Sequence, residues 1–445
     1  MAAALAYALP LMFLLIWNPM LAVIFIIAPL CFLLVAHGPA AIAVLIVASS
    51  VFIPITQGIV LLPADLVAFV LVAAYLTDLS FHGSVPRSNR LARPYLIYVL
   101  VMLFSISLEG FTAPSVRYFT RQVLLFLTFL AVAHFGRKTN ILHILIIYVL
   151  AAVGNSLYSL GQFLGSGGTI RTFGLASVWF GDHAVLAFLI SSVFYIWSRN
   201  LGTRILWGTA ALLTAGGILA TQIRGAAITA GWGLMAVMAW AFWKGHRAKH
   251  SAPVKNLTAA VILLLLIVPI LIFYTHLFEG IAYRFGRIGL RPAETILERV
   301  TLWKAAFAAF WRNPVLGIGT GNFTLINQWV PDIKFSPFYH AIAGLSTHNV
   351  FLGALVETGL AGFFALIFLF IRAIRISYRN LLATVMENDL PLVQSLFIIS
   401  LIIMGSSIYA GYWFWANNSY HMAVFFGLIA SYKIHPEPFN GARTA

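Results

Sequence analysis

Several arginines lie at the ends of long apolar runs, where a positive charge is costly unless it binds a partner. Arg224 is the clearest, because it interrupts LATQIRGAAITAGW with no carboxylate within ten residues on either side. An arginine at membrane depth costs about 2.5–3.5 kcal/mol on insertion scales, so by default it faces a polar cavity. The alternative is a side chain that extends to the lipid headgroups. We predict that Arg224 binds substrate.

Three more arginines are candidates for the same cavity. Arg171 lies in GSGGTIRTFG and Arg121 in RYFTRQVLLF, and the alternative for both is binding to lipid phosphates. Arg299 shares a predicted helix with Glu294 and Glu298, so a surface ion pair is its alternative role. Guanidinium binds phosphate oxygens bidentately and stays charged at any relevant pH, so several such arginines would suit a polyprenyl diphosphate. Further arginines in the Arg299 segment are Arg284, Arg287 and Arg291.

A histidine follows these arginines where the next apolar run begins, in STHNVFLGALVETGLAGFF at residues 346–364. Ser346 or Thr347 is the predicted N-cap, which would place His348 in the first helical turn. The positive end of a helix disfavours a second positive charge, so a neutral imidazole able to accept a proton is expected. Such a group could act as a general base towards a hydroxyl. The alternative is a histidine that only caps the helix or packs at the membrane interface.

The remaining motifs argue against nucleotide and metal chemistry. NPVLGIGTGNF, at residues 313–323, has three alternating glycines but neither the βαβ context nor the Lys-Ser/Thr ending of a nucleotide loop, so a tight turn is predicted. The outward segments contain no Asp-x-Asp and no His/Cys ligand cluster, and the pair Glu387 and Asp389 falls in a predicted cytoplasmic loop. We therefore predict no metal and no cofactor, which disfavours a metal-dependent glycosyltransferase or hydrolase.

The elements that must position these residues are membrane helices. Of 445 residues, 61% are hydrophobic and 9% charged, and the mean hydropathy is +0.95. Soluble domains are about one-quarter charged, so a soluble enzyme, a disordered chain and an alternating-strand barrel are all excluded. The single cysteine, Cys31, permits no intrachain disulfide, and the N-terminus lacks a basic signal region, so it is predicted to be the first membrane helix.

The predicted fold is therefore an all-α polytopic membrane protein with about 12–14 transmembrane helices, because about 20 apolar residues cross a bilayer. The first three runs are short and could be tilted, half-inserted or fused. Apolar runs of helical length fall at 3–17, 20–36, 39–53, 61–79, 93–109, 118–136, 141–163, 179–198, 202–220, 224–243, 257–276, 348–371, 391–413 and 417–432.

The net charge of +15 is mostly a topology signal and does not indicate nucleic acid binding. Basic clusters occur in alternate short loops, which is typical of the cytoplasmic side: Arg87/Arg90/Arg93, Arg137/Lys138, Arg199/Arg204, Lys244/Arg247/Lys249/Lys255 and Arg372/Arg375/Arg379. The intervening loops at 110–117, 164–178, 221–223, 277–347 and 414–416 are then predicted to face outward. The orientation of the helices before Arg87 is left open.

The chain is accordingly divided into three parts. Residues 1–276 hold N-terminal transmembrane helices, 277–347 a large outward loop, and 348–445 C-terminal helices with a short cytoplasmic tail. Within the loop, residues 293–311 are predicted to form an amphipathic helix that lies over the outer membrane face or caps a cavity. Its predicted apolar positions are Ile296, Leu297, Val300, Trp303, Ala306, Phe307 and Phe310.

Three segments in this order resemble the O-antigen ligase and polymerase superfamily of bacterial envelope glycosyltransferases. They are TQIRGA at a helix start, ERVTLWKAAFAAFWRNPVLGIGTGNF, and THNVFLGALVETGLAGF after the large loop. Each is weak alone, whereas the ordered set with its intervening loop is fairly specific, and the many-helix scaffold agrees over most of the chain. The sequence departs from many relatives at Ile223, where those proteins have Ser before the arginine.

The resemblance implies a GT-C-like fold of the metal-independent, polyprenyl-phosphate-using type, with an active site on the periplasmic side of the bacterial inner membrane. It implies that the family's essential arginines are Arg224 and Arg299, and that its essential histidine is His348. These three residues are the expected catalytic set, with both arginines on the donor diphosphate. The other expected substrate-binding residues are Arg171, Arg121, Asn349 and Trp303.

The leading hypothesis is an O-antigen ligase that transfers O-polysaccharide from undecaprenyl diphosphate to lipid A-core and inverts the anomeric centre. Its expected partners are the lipid-linked donor, the lipid A-core acceptor and membrane lipids, with no nucleic acid. An O-antigen polymerase and a protein O-oligosaccharyltransferase of the same superfamily remain alternatives, and the short C-terminal tail mildly disfavours the second. A transporter of lipid-linked glycans is the alternative from another class, although it gives His348 no clear task and no repeat supports it.

Overall fold

The computed structural model describes the chain in nine stretches, and in all of them regular structure is helical with no strand. This confirms the predicted all-α class. The described residues are 38–50, 63–82, 89–167, 170–172, 174–175, 180–247, 291–384, 389–408 and 416–432.

The helices follow the predicted apolar runs closely. The described α-helices are α1 Gly38–Ser49, α2 Pro63–His82, α3 Ala92–Glu109, α4 Ala113–Phe135, α5 Ile141–Gly165, α6 Phe180–Trp197, α7 Leu201–Thr221, α8 Arg224–Arg247, α9 Arg291–Phe310, α10 Ile326–Trp329, α11 Tyr339–Ile342, α12 Val350–Ala383, α13 Leu390–Ser406 and α14 Ala416–Ser431. Short 3₁₀ turns lie at Gly136–Lys138, Asn322–Leu325 and Pro331–Phe335.

Among the described residues, eight helices are long and apolar enough to cross a membrane, and α1, α13 and α14 are shorter apolar helices. The protein is therefore a multi-pass membrane protein. The predicted total of 12–14 spans stays a prediction, because the runs at 3–17, 20–36 and 257–276 lie outside the described residues.

Helices from both ends of the chain share one apolar core. The last helix, α14, packs against α4 and α1, so residues from distant parts of the sequence are neighbours. Phe425 and Phe426 of α14 are fully buried in the same cluster as Phe129 of α4 and Ile42 of α1. This packing holds the C-terminal helices next to the N-terminal ones.

The predicted span at 348–371 is wrong in two respects. The helix continues to Ala383, so Arg372, Arg375 and Arg379 lie within its last turns and not in a loop. It is also broken at Gly359, whose φ of 64° and ψ of −165° are not helical. We call residues 350–358 the short rod and residues 360–383 the long rod of α12.

Helix α9 forms where the large loop was predicted to be helical, but its packing face differs from the predicted one. Leu297 and Phe307 are 47% and 50% exposed, whereas the buried side chains include three alanines that pack towards α12. Small residues allow the two helices to approach closely, and a pattern based on hydrophobic bulk underweights them. The buried face consists of Leu302, Ala305, Ala306, Ala309 and Phe310.

Candidate active site

The candidate site begins at the N-terminus of the short rod, where the predicted cap is wrong. Asn349 is the N-cap: its side-chain Oδ1 accepts the backbone N–H of Leu352 at 2.9 Å. His348 therefore precedes the helix and does not lie in its first turn. Asparagine competes with serine and threonine for this position at nearly equal preference, so the sequence did not distinguish them.

The backbone of His348 is held in a conformation that side-chain-bearing residues rarely adopt. Its φ is +51°, in the left-handed region, at a cost of order 1–3 kcal/mol that the surroundings must offset. Thr347 Oγ1 donates to the carbonyl oxygen of Asn349 at 2.6 Å, and the backbone N–H of Val350 donates to Ser407 O at 2.8 Å. Contacts on both sides thus restrain the backbone at this turn.

Helix α9 contributes two of the predicted residues to this turn. Trp303 Nε1 donates to the carbonyl oxygen of Thr347 at 3.0 Å, so the indole holds the residue just before His348. Arg299 lies one turn earlier on the same helix and acts electrostatically on His348. Residues four apart lie on the same helix face, which is why Arg299 and Trp303 reach the same turn together.

The imidazole is held neutral by its surroundings. Burial lowers the pKa of His348 below its usual 6.5, and the positive charge of Arg299 lowers it further. A lowered pKa agrees with the neutral imidazole expected from the sequence. Its cause, however, is burial and a neighbouring guanidinium, and not a position inside the first helical turn. The described side chains show no ion pair between Arg299 and Glu298. The side chain of Glu294 lies outside the described part.

Arg171 lies beside the step between α7 and α8. Its Nε donates to the carbonyl oxygen of Thr221 at 2.9 Å, three residues before Arg224. Thr172 reinforces this contact, because its backbone N–H donates to Ala220 O at 3.2 Å. Arg224 is the first residue of α8, and its side chain lies outside the described part, as do those of Arg284, Arg287 and Arg291.

Arg121 has a carboxylate partner that the sequence did not reveal. Its guanidinium lies 3.3 Å from the carboxylate of Asp65 on α2, and Tyr420 of α14 donates to the same carboxylate at 2.6 Å. The Arg121 side chain is 20% exposed and that of Asp65 is 5% exposed. This pairing gives Arg121 a role in holding three helices together, and its role in substrate binding stays a prediction.

A second missed residue is Glu357, the carboxylate of the short rod. It is buried, and its carboxyl group faces the backbone N–H groups of Gly321 and Phe323. The available signal was a single acid within an otherwise apolar run, VFLGALVETGLAGFF, which marks a residue with a specific partner.

No group of three or more His, Cys, Asp or Glu side chains suited to a metal ion occurs among the described residues. Independence from metal stays a prediction. What the described site offers is a neutral imidazole on a restrained turn near a guanidinium, and this pair can remove a proton next to a bound anion.

The comparisons with known proteins fall on this region. Residues 209–367 match the family model described as O-antigen ligase, and no curated protein matches the sequence. The matched segment covers somewhat more than one third of the chain and includes Arg224, Arg299, Trp303, His348 and Asn349. The match supports placing this multi-pass membrane protein in the O-antigen ligase/polymerase superfamily of glycosyltransferase-like enzymes.

Proposed function

We propose that the protein is an O-antigen ligase acting at the periplasmic face of the bacterial inner membrane. It transfers O-polysaccharide from undecaprenyl diphosphate to a sugar hydroxyl of lipid A-core. The observation that carries the proposal is the neutral His348 in a fixed turn beside Arg299, within the segment that matches the O-antigen ligase family.

The chemistry follows from the properties of these side chains. His348 accepts the proton of the acceptor hydroxyl, and the oxygen attacks the anomeric carbon while the bond from that carbon to the diphosphate oxygen breaks. The electron pair leaves with the diphosphate, and Arg299 and Arg224 stabilise the charge that builds there. In-line attack inverts the anomeric centre.

The proposal assigns no step to a metal. A diphosphate is a competent leaving group without protonation, and guanidinium supplies the positive charge that a metal would otherwise provide. Transfer by the purified protein is therefore expected to persist in EDTA, and loss of transfer in EDTA would contradict this part of the mechanism.

The central test uses purified protein in lipid vesicles with lipid-linked O-polysaccharide and lipid A-core. His348→Ala should lower the transfer rate by about 10²–10⁴-fold, the usual contribution of a general base. His340→Ala is the matched control, because His340 is exposed in the same segment. Full transfer by His348→Ala would overturn the proposal.

A deletion strain separates the related activities. Intact polymer that accumulates on the carrier lipid, with none on lipid A-core, indicates the ligase. Single-repeat glycan on the core would indicate a polymerase, and loss of glycan from a protein would indicate a protein O-oligosaccharyltransferase. Movement of lipid-linked glycan across vesicles without bond formation would indicate a transporter.

A further inference from the structure

The glycine-containing loop at residues 313–323, which we call the glycine loop, is built into the break of α12. Backbone N–H groups of Ile318 and Gly319 donate to the carbonyl oxygens of Val356 and Glu357 at 2.9 and 3.0 Å. In return, the N–H of Leu360 donates to Pro314 O at 2.9 Å. The loop therefore supplies the partners that a continuous helix would have provided.

This exchange explains how a break is tolerated in a membrane helix. An unsatisfied backbone group in hydrocarbon costs several kcal/mol, so non-helical backbone persists there only when protein surrounds it. The approach is close on both sides: a Cβ on Gly317 would overlap the backbone of Glu357, and one on Gly359 would overlap Val315 O. Both glycines also have positive φ. Each position therefore requires glycine for two reasons, the lack of space for a Cβ and the backbone conformation.

A second set of contacts holds the glycine loop from the side of the α3–α4 turn. Asn313 Nδ2 donates to Glu109 Oε1 at 2.6 Å, and Thr112 Oγ1 donates to Asn322 Oδ1 at 2.6 Å. Asn322 Nδ2 in turn donates to Ile318 O at 2.8 Å within the loop. The glycine loop is thus fixed between two membrane helices and the break.

The side chain of Glu357 forms a further link between the glycine loop and the short rod. It is buried at the C-terminal end of the short rod, where its carboxyl group faces the backbone N–H groups of Gly321 and Phe323 at the far end of the glycine loop. His348 lies nine residues earlier, just before the other end of the same rod. A rise of about 1.5 Å per residue separates the two by roughly 13 Å, along a rod short enough to move as one body.

Resting on the proposed function, we propose that Glu357 is a positioning residue: by joining the glycine loop to the break, its carboxyl group fixes the short rod and thereby the place of His348 beside Arg299. Glu357 itself does not touch substrate. Its effect on transfer is exerted through the position of the imidazole, where a misplacement of about 1 Å can cost on the order of 100-fold in rate.

The test compares Glu357→Gln with Asp332→Asn. Glutamine keeps the shape of the side chain, but its NH₂ group is a donor facing backbone donors, so its single carbonyl oxygen would have to accept both N–H groups. Asp332 is an exposed carboxylate near the glycine loop, and its variant is the matched control. Glu357→Gln should lower kcat by about 10–100-fold with KM for the lipid-linked donor unchanged, whereas Asp332→Asn should change neither.

A second readout does not depend on glycan transfer. Diethyl pyrocarbonate labels neutral imidazole, so the pH dependence of His348 labelling, followed by peptide mass spectrometry, reports its pKa. In Glu357→Gln that pKa should rise towards 6.5 as the imidazole leaves its buried place beside Arg299. If the wild-type protein transfers no glycan but labelling shifts as expected, the proposed function fails and the positioning role stands.

Two outcomes would overturn the inference. The first is an unchanged labelling profile and unchanged kcat in a folded Glu357→Gln protein. The second is loss of folded protein in both Glu357→Gln and Glu357→Asp, which would make Glu357 a folding residue. Glu357→Asp keeps two acceptor oxygens on a shorter side chain and should give a smaller shift in the same direction.

Discussion

Two arginines that look alike in the sequence occupy opposite surroundings. Arg121 is paired with the buried carboxylate of Asp65, which also accepts Tyr420. Arg299 acts on a neutral imidazole, and none of the described side chains pairs with it as an anion. A guanidinium whose charge is already matched contributes to helix packing, whereas the charge of one beside a neutral base is available for the diphosphate of the proposed reaction. We therefore assign Arg121 to helix packing and Arg299 to the proposed reaction.

The largest expected effect is on transfer by the Arg299 variant. Arg299→Gln removes a positive charge from the developing diphosphate, and the transfer rate should fall by about 10²–10³-fold, as for the loss of one oxyanion donor. Arg121→Gln, measured per folded molecule in the same vesicle assay, should transfer at nearly the wild-type rate. Arg312→Gln is the control, since Arg312 is exposed just after α9. An equal loss in the Arg121 and Arg299 variants would remove the distinction between the two residues.

The free energy of unfolding should show the reverse order, with a larger loss in the Arg121 variant than in the Arg299 variant. Arg121→Gln leaves the Asp65 carboxylate buried with only part of its partners, and the free energy of unfolding should fall by about 1–3 kcal/mol, reduced from the buried-pair range because Arg121 is partly exposed. Thermal unfolding in detergent measures the change. The double variant Asp65→Asn/Arg121→Gln should recover part of the loss, and Arg299→Gln should cost less than Arg121→Gln. A stable Arg121→Gln single variant would show that the pair contributes little.

A smaller effect is expected at the indole that holds the turn before His348. Trp303→Phe keeps the ring but loses the hydrogen bond to Thr347 O, worth about 0.5–1.5 kcal/mol, so kcat should fall roughly 2–10-fold. Trp311→Phe is the control, because Trp311 is 73% exposed on the same segment. Equal kcat values for the two variants would argue against a contribution of the indole N–H.

The smallest effect is a shift in pH dependence. The imidazole must be neutral to accept a proton, so transfer should be constant above pH 6.5 and fall as the pH drops through the lowered pKa of His348. Arg299→Gln removes one of the two causes of that lowering, so the acidic midpoint of the residual activity should move upwards towards 6.5. A midpoint that does not move would mean that Arg299 does not act on His348.

The sequence predicted what depends on local composition. Most of the described helices match their apolar runs within a few residues, because about 20 apolar residues need a helix to cross a bilayer. The resemblance assigned Arg299 and Trp303 to the same site, and their spacing of four puts both on one face of α9. The positive-φ glycines at 317, 319 and 321 confirm the predicted turn in the glycine loop.

What the sequence did not predict depends on distant partners. Asp65 pairs with residues 56 and 355 positions away, and no local pattern specifies either partner. Gly359 interrupts α12 without changing the apolar pattern, so it could not be told from a glycine that merely packs against a neighbouring helix.

The two rods of α12 also bear on where the proposed reaction takes place. In the long rod only residues 360–371 precede the first arginine, and they span about 18 Å of the roughly 30 Å of hydrocarbon that a crossing requires. The short rod therefore contributes to the crossing, and His348 lies at the end of α12 opposite to Arg379. In the proposed reaction, a substrate held in the membrane by its lipid presents its reactive bond at the level of His348. In the proposed reaction, the length of residues 350–358 then determines where that bond lies relative to the hydrocarbon.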